Sequence, residues 1–140
     1  MSKLSGNQRN NIYWTVVYLK DGVGMYLLGD SFRCLNEGDL IMIPPHVDFS
    51  FDSADLGDEY NVNIDAVVLR FDNAWLTNLL AVFRTLNEVV LKIREMADPY
   101  AVEGPKWMKL SALMDQLSSS PAAQRAVIIL QILELISTPK

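Results

Sequence analysis

Two short apolar runs separated by a pair of prolines stand at the middle of the hydrophobic pattern of this chain. The first run, residues 40–43, follows a Gly-Asp pair and ends at Pro44-Pro45, and the second alternates apolar and polar side chains over 47–51. Proline has no backbone N–H and cannot lie inside a central ladder of strands. The pattern therefore predicts two strands joined by a tight corner, the second with one buried side and one solvent-facing side.

Strand-type composition recurs on both sides of this unit. Aromatic and β-branched residues are concentrated in segments that are bounded by Gly, Asp and Asn, as is typical of strands between turns. The Lys-Asp-Gly turn at 20–22 predicts a hairpin between the first two of these segments. In the first, we expect the side that carries Trp14 to face the interior of the sheet structure. The segments are 13–19, 25–28, 32–35 and 60–71, with a last short strand at 100–102.

The hydrophobic period changes from two to between three and four after Asp72. Asp72 or Asn73 can cap a helix there, and the Ser120-Pro121 pair can begin another one, with the serine as N-cap. The strands come first and the helices last, which predicts an α+β fold with helices packed against an antiparallel sheet. The predicted helices cover residues 73–83, 87–96, 106–117 and 122–136.

Composition limits the classes of function. The chain has 140 residues, half of them hydrophobic, which fits one domain with a substantial core. A net charge of −5 and a pI near 4.7 argue against a nucleic-acid-binding surface.

The single cysteine, Cys34, excludes an internal disulfide and fits a reducing compartment. Residues 1–11 are polar, without the apolar region of a signal peptide, and no apolar run is long enough to cross a membrane. We expect a cytoplasmic protein with no membrane association.

The order and spacing of these motifs resemble the N-terminal cupin-like effector-binding and dimerisation domain of AraC-type (arabinose-operon type) bacterial transcriptional regulators. The resemblance extends from residue 12 to residue 137. It is carried by the turn at 22–24, Gly29-Asp30, the Gly-Asp to Pro-Pro unit at 38–45, the strand 66–71 followed by Trp75-Leu76, and the two amphipathic segments at the C-terminal end.

The resemblance implies a fold and a function. The fold is a cupin-like antiparallel β-barrel, that is a double-stranded β-helix or jelly roll, followed by C-terminal helices. It divides the chain into a flexible lead-in at 1–11, a barrel with short helices at 12–105, and a helical pair at 106–138 that is the dimerisation unit. The function is small-molecule sensing in transcription regulation, with DNA bound only through a helix-turn-helix part that is not present in this chain.

The candidate ligand-binding residues are mostly aromatic. Aromatic side chains on the strands can line an apolar pocket with a few polar groups for orientation, although they can equally be core. Such a lining suits a sugar ring or an aromatic acid as effector. Arg70 can pair with a carboxylate of a ligand or of Asp65, or face water. The candidates are Trp14, Tyr18, Tyr26, His46, Phe49 and Arg70.

Catalytic and metal chemistry are not indicated. His46 is the only histidine, and the related regulators often carry a histidine where this chain has Phe49, so no metal site of several imidazoles can form. Cys34 has no second histidine to act with it. We therefore expect no metal, no cofactor and no enzymatic activity. Two alternatives remain: a free-standing cupin enzyme, such as an isomerase or a dioxygenase, and a dimerisation module that binds no ligand.

The last helix carries apolar residues around more of its circumference than one contact with a sheet covers. It is either enclosed by its own domain or forms a subunit interface. The resemblance favours the interface and implies a homodimer, in which the same face serves both partners. The predicted interface residues are Leu113, Leu117, Ala126, Ile129, Leu130 and Leu133.

Overall fold

The structure, a computed structural model, describes residues 6–8, 11–52 and 65–138. Most strands precede the helices, as predicted, and only the two-residue β8 lies between α2 and α3 among the described elements; the α+β class with antiparallel sheets and C-terminal helices is confirmed. The strands are β1 (Gly6–Gln8), β2 (Tyr13–Asp21), β3 (Gly24–Leu28), β4 (Ser31–Leu35), β5 (Leu40–Ile43), β6 (Phe49–Asp52), β7 (Asp65–Asp72) and β8 (Tyr100–Ala101). The helices are α1 (Asn73–Val82), α2 (Asn87–Arg94), α3 (Gly104–Ser119) and α4 (Ala122–Ser137), with a 3-10 turn at Arg84–Leu86.

The strands form two four-stranded antiparallel sheets. One, the outer sheet, has the order β1-β6-β3-β4, and the other, the central sheet, has the order β7-β2-β5-β8. Within the described residues these are two separate sheets and not one closed barrel. β1 lies inside the segment that the sequence predicts as a lead-in, and it pairs with β6. Part of the sequence predicted as the strand 60–71, residues 60–64, lies outside the described residues.

The predicted hairpin between the first two strand segments is wrong. β2 pairs with β5 and β7, whereas β3 pairs with β4 and β6, so the turn after β2 carries the chain from the central sheet to the outer sheet. The turn residues permit a hairpin, but both edges of β2 are occupied by strands from later in the sequence. The turn residues determine where the chain reverses direction, but they do not determine which strand β2 pairs with.

Both faces of the central sheet are covered. One face, with Val17, Leu19 and Ile43, packs against the outer sheet. The other face, with Trp14 and Val16, packs against the helices. The prediction that the Trp14 side of β2 faces the interior of the sheet structure is therefore wrong, since that side faces the helices. Because β2 is buried on both sides, its sequence is apolar nearly throughout and its alternation does not reveal which face meets which layer.

The helices form the third layer. Asp72 caps α1, its Oδ1 accepting from the Trp75 N–H at 2.9 Å as predicted. α3 contacts β2 and β7, and α4 lies against α2 and α3. Ser120 does not cap α4: its hydroxyl donates to the Gln116 carbonyl at 2.6 Å, and Pro121 occupies the N-cap position without a side-chain hydrogen bond.

Candidate ligand-binding cleft

Asn11 fastens the Pro-Pro corner to the beginning of β2. The His46 N–H donates to the Asn11 carbonyl at 2.7 Å, and the Asn11 side-chain amide donates to the carbonyls of Tyr13 and Pro44 at 2.9 and 3.4 Å. The Asn11 Oδ1 accepts from the Tyr13 N–H at 3.0 Å. Asn11 is itself almost fully buried, with 3% of its surface exposed. The corner is therefore held at a fixed position beside β2.

His46 lies at the tip of this corner in a strained conformation. Its φ angle is 68°, and among the described residues it is the one non-glycine residue with a positive φ. A left-handed backbone is uncommon for residues with a Cβ, although histidine adopts it more readily than most. Strained residues of this kind cluster at binding and active sites. The conformation leaves the His46 side chain exposed at the edge of a cleft.

Trp14 forms an anchored wall of the same cleft. Its indole Nε1–H donates at 3.1 Å to the Ile93 carbonyl in the last turn of α2, which also accepts from the Met96 N–H at 3.2 Å. The indole stacks on the ring of Phe71, with centroids 5.7 Å apart and an interplanar angle of 8°. Phe71 in turn contacts Trp75, at 5.6 Å between centroids. The indole is thus fixed in position by one hydrogen bond and by an aromatic cluster.

Arg94 supplies a positioned cation at the cleft. It is the last residue of α2, and its Nε donates to the Asn73 Oδ1 at 2.8 Å. Its Nη2 donates to the Thr77 Oγ1 at 2.9 Å, and that hydroxyl donates to the Asn73 carbonyl at 3.0 Å. Two residues from the first turns of α1 therefore hold the guanidinium, although Arg94 is exposed.

These groups surround an open cleft of about 640 Å³ between the Pro-Pro corner and the ends of α1 and α2. Its size is in the range of small-molecule sites, and its composition, apolar side chains with a few polar groups, is typical of them. The lining residues are Ile12, Trp14, Pro45, His46, Val47, Asn73, Arg94, Met96 and Ala97.

The six predicted ligand-binding residues do not form one site. Trp14 and His46 line the cleft. Tyr26 borders a separate cavity of about 60 Å³ between the sheets, together with Arg33, and burial raises the pKa of its phenol. Phe49 lies in the buried cluster between the sheets, and Tyr18 packs beside the helices. Arg70 is exposed, with its guanidinium carbon 4.4 Å from the centroid of the Tyr13 ring.

Sequence reasoning missed three residues of the cleft region. Asn11 falls in the predicted lead-in, Asn73 was considered only as a helix cap, and Arg94 has the sequence context of any basic residue in a last helical turn. Nothing in the spacing of Asn73 and Arg94 along the chain indicates that they meet. They come together because α1 and α2 pack side by side.

The predicted interface residues differ in exposure. Leu117 and Leu133 are buried in the core of their own chain, with Leu133 only 1% exposed. Leu113, Ile129 and Leu130 are half-buried. Ala126 is exposed, and the next residue, Val127, which is not among the predicted interface residues, exposes 57% of its surface.

No group of three or more His, Cys, Asp or Glu side chains in residues 6–8, 11–52 and 65–138 is arranged to hold a metal ion. Over the same residues, no helix combines the length and apolar character needed to cross a membrane.

A scan against protein-family models gives no match, and a search of curated proteins finds no similar sequence.

Proposed function

We propose that this chain is the small-molecule-sensing and dimerisation domain of a bacterial, cytoplasmic transcriptional regulator of AraC type, a binding module without catalytic activity. In this proposal the two sheets correspond to a cupin-like jelly roll, and DNA is bound through a separate part of the regulator. The observation that carries the sensing role is the cleft of about 640 Å³ with an anchored indole, a strained histidine and a positioned guanidinium.

Helix α2 supports the sensing role because it joins the cleft to the last helix. Ile93 accepts the Trp14 hydrogen bond and Arg94 lines the cleft, whereas the body of α2 contacts α4. Met96, just after α2, lines the cleft and also borders a groove formed by Ile136 and Ser137 at the end of α4. A ligand that favours one position of α2 would therefore change the surroundings of α4. Such a response requires different affinities for the two positions.

The dimerisation role rests on the surface of α4. Val127 is mostly exposed, and Leu130 follows Val127 by three residues and the exposed Ala126 by four, so Leu130 neighbours both on the helix surface. In the proposed dimer this surface packs against the same surface of a second copy, as C2 symmetry requires. Leu117 and Leu133 are not part of that contact, because they belong to the core of one chain.

A thermal-shift screen with a cleft-filling variant tests the sensing role. Sugars, aromatic acids and other small metabolites are added to the wild type, to Ala97→Phe, which fills the cleft, and to Ala112→Phe, an exposed position on α3. A true ligand at about 100 times its Kd adds roughly 2.7 kcal/mol to the free energy of unfolding. We expect compounds that stabilise the wild type and Ala112→Phe but not Ala97→Phe.

Two outcomes contradict this proposal. Compounds that stabilise Ala97→Phe as much as the wild type place the ligand elsewhere. A panel that stabilises none of the three proteins favours the ligand-free dimerisation module.

A further inference from the structure

We infer that the ligand of the cleft carries a carboxylate attached to an apolar body, with Arg94 as the residue that binds the carboxylate. This inference rests on the proposed sensing function and names the class of ligand for the same site.

Among the described residues, Arg94 uses two of its donors in hydrogen bonds. A guanidinium has five N–H groups. One on Nε and one on Nη2 are bound by the neutral oxygens of Asn73 and Thr77, and neither of these partners carries a charge. One donor of Nη1 and the second donor of Nη2 lie side by side on the edge of the guanidinium that matches a carboxylate with two parallel hydrogen bonds.

The two bound donors also fix the orientation of that edge. An exposed arginine on a helix end ordinarily loses side-chain entropy when it binds an anion, which weakens the pair. In this chain Asn73 and Thr77 already hold the guanidinium before any ligand arrives. Preorganisation of this kind increases affinity because less freedom is lost on binding.

The remaining walls select the rest of the ligand. Ile12, Trp14, Val47 and Met96 present apolar surface to the cleft, and the Trp14 indole is held in place by its bond to Ile93. An apolar or aromatic group packs well against these side chains. His46, on the corner opposite the helices, offers an imidazole that can donate or accept a hydrogen bond.

The charge of the lining favours a carboxylate over a phosphate ester. Arg94 is the one Lys or Arg side chain among the described residues that line the cleft. A single guanidinium neutralises one negative charge, whereas a phosphate monoester carries nearly two at neutral pH and is commonly bound by several cationic or backbone donors. The planar edge of the guanidinium matches the planar carboxylate.

Matched acids and amides test the inference. Benzoate, phenylacetate and hexanoate are titrated into the full 140-residue chain by calorimetry, in parallel with benzamide, phenylacetamide and hexanamide. A ¹⁵N–¹H spectrum follows the indole N–H signal of Trp14, assigned with Trp14→Phe. We expect at least one acid to bind about tenfold or more tightly than its amide and to shift that signal.

Charge variants locate the carboxylate. Arg94→Gln should weaken the acid about tenfold or more and leave the amide unchanged, whereas Arg125→Gln, on α4, should change neither. Arg94→Lys keeps the charge but loses the double hydrogen bond, and it should show an intermediate loss. Arg94→Lys also serves as the test variant if Arg94→Gln lowers the melting temperature by weakening the contact between α1 and α2.

The outcomes separate this inference from the proposed function. Equal binding of acid and amide, no binding of any acid, or full acid binding by both Arg94 variants overturns the carboxylate inference. If neutral compounds still bind the wild type and not Ala97→Phe, the sensing function stands and only the ligand class is wrong. If Ala97→Phe binds every compound as the wild type does, both proposals fail.

Discussion

Asn11 holds three backbone segments together with one short side chain. It contacts the beginning of β2 through Tyr13, the end of the Pro-Pro unit through Pro44, and His46 through its own carbonyl. Every polar atom of its side chain is paired while the residue is buried. Burial removes the amide from water, and these hydrogen bonds offset the free energy that this desolvation costs. The geometry of the cleft wall therefore depends on one residue that lies outside the lining itself.

Asn11→Ala should lower the free energy of unfolding by about 1–3 kcal/mol, because it leaves the Tyr13 N–H and the Pro44 carbonyl without their partner. Urea denaturation measures the change, with Asn78→Ala at an exposed position on α1 as the control. The control should differ from wild type by no more than about 0.5 kcal/mol. Equal stability of Asn11→Ala and Asn78→Ala would show that the corner is held by other contacts.

Among the secondary-structure elements, β8 and α4 are joined by Tyr100. Its hydroxyl donates to the Ile136 carbonyl at 3.4 Å, near the end of α4, and β8 itself pairs with β5. Burial raises the pKa of the Tyr100 phenol above the ordinary value of 10.0. The folded chain therefore holds this proton more tightly than the unfolded chain does. The link between the two-residue strand and the last helix weakens when the proton is lost.

The stabilisation linked to the Tyr100 proton is fully present below pH 10.0 and is lost as the pH rises through the folded-state pKa. Tyr100→Phe lacks this dependence. We expect the difference in unfolding free energy between wild type and Tyr100→Phe to be constant at neutral pH and to shrink above about pH 10. Denaturant titrations of both proteins across this range measure it, and parallel curves would show that the phenol is not differentially buried.

The elements also show how far the sequence determines the fold. The bounds of β5 were predictable because Gly-Asp and Pro-Pro enclose an apolar run, and Asp72 marked the beginning of α1. The pairing partners of β2 were not predictable, since both its faces are apolar and several later strands could have paired with it. The hydrophobic pattern indicates which residues are buried and whether a segment is a strand or a helix. Which strands pair depends on contacts between residues far apart in the sequence.

The cleft was predictable only in part for a related reason. Trp14 and His46 were candidates because of their residue types, and they do line it. Arg94 could not be found, since its role comes from Asn73 and Thr77 on a different helix. The apolar excess on α4 has two sources: Ile132 and Leu133 are buried inside the chain, and Val127 is exposed. The sequence alone does not separate these two groups.

For the whole molecule, we propose that two copies associate through the exposed part of α4. Light-scattering mass of the wild type should correspond to a dimer, and Ala126→Glu should convert it to a folded monomer, because a charge at the centre of a self-complementary interface appears twice and cannot be paired. Ala81→Glu, at an exposed position on α1, is the matched control and should remain dimeric. A monomeric wild type, or a dimeric Ala126→Glu, would exclude this surface of α4 as the interface.

The order of strands in the central sheet has a consequence for synthesis on the ribosome. β2 leaves the exit tunnel early, but it pairs on one side with β5 and on the other with β7, and β8 completes the sheet beside β5. Until these partners emerge, the apolar side chains of β2 have neither strand neighbours nor helices to cover them. Nascent chains with such uncovered strands are prone to aggregation and are clients of chaperones. The release of α3, which packs against β2 and β7, and of α4, which packs on α2 and α3, ends this vulnerable period.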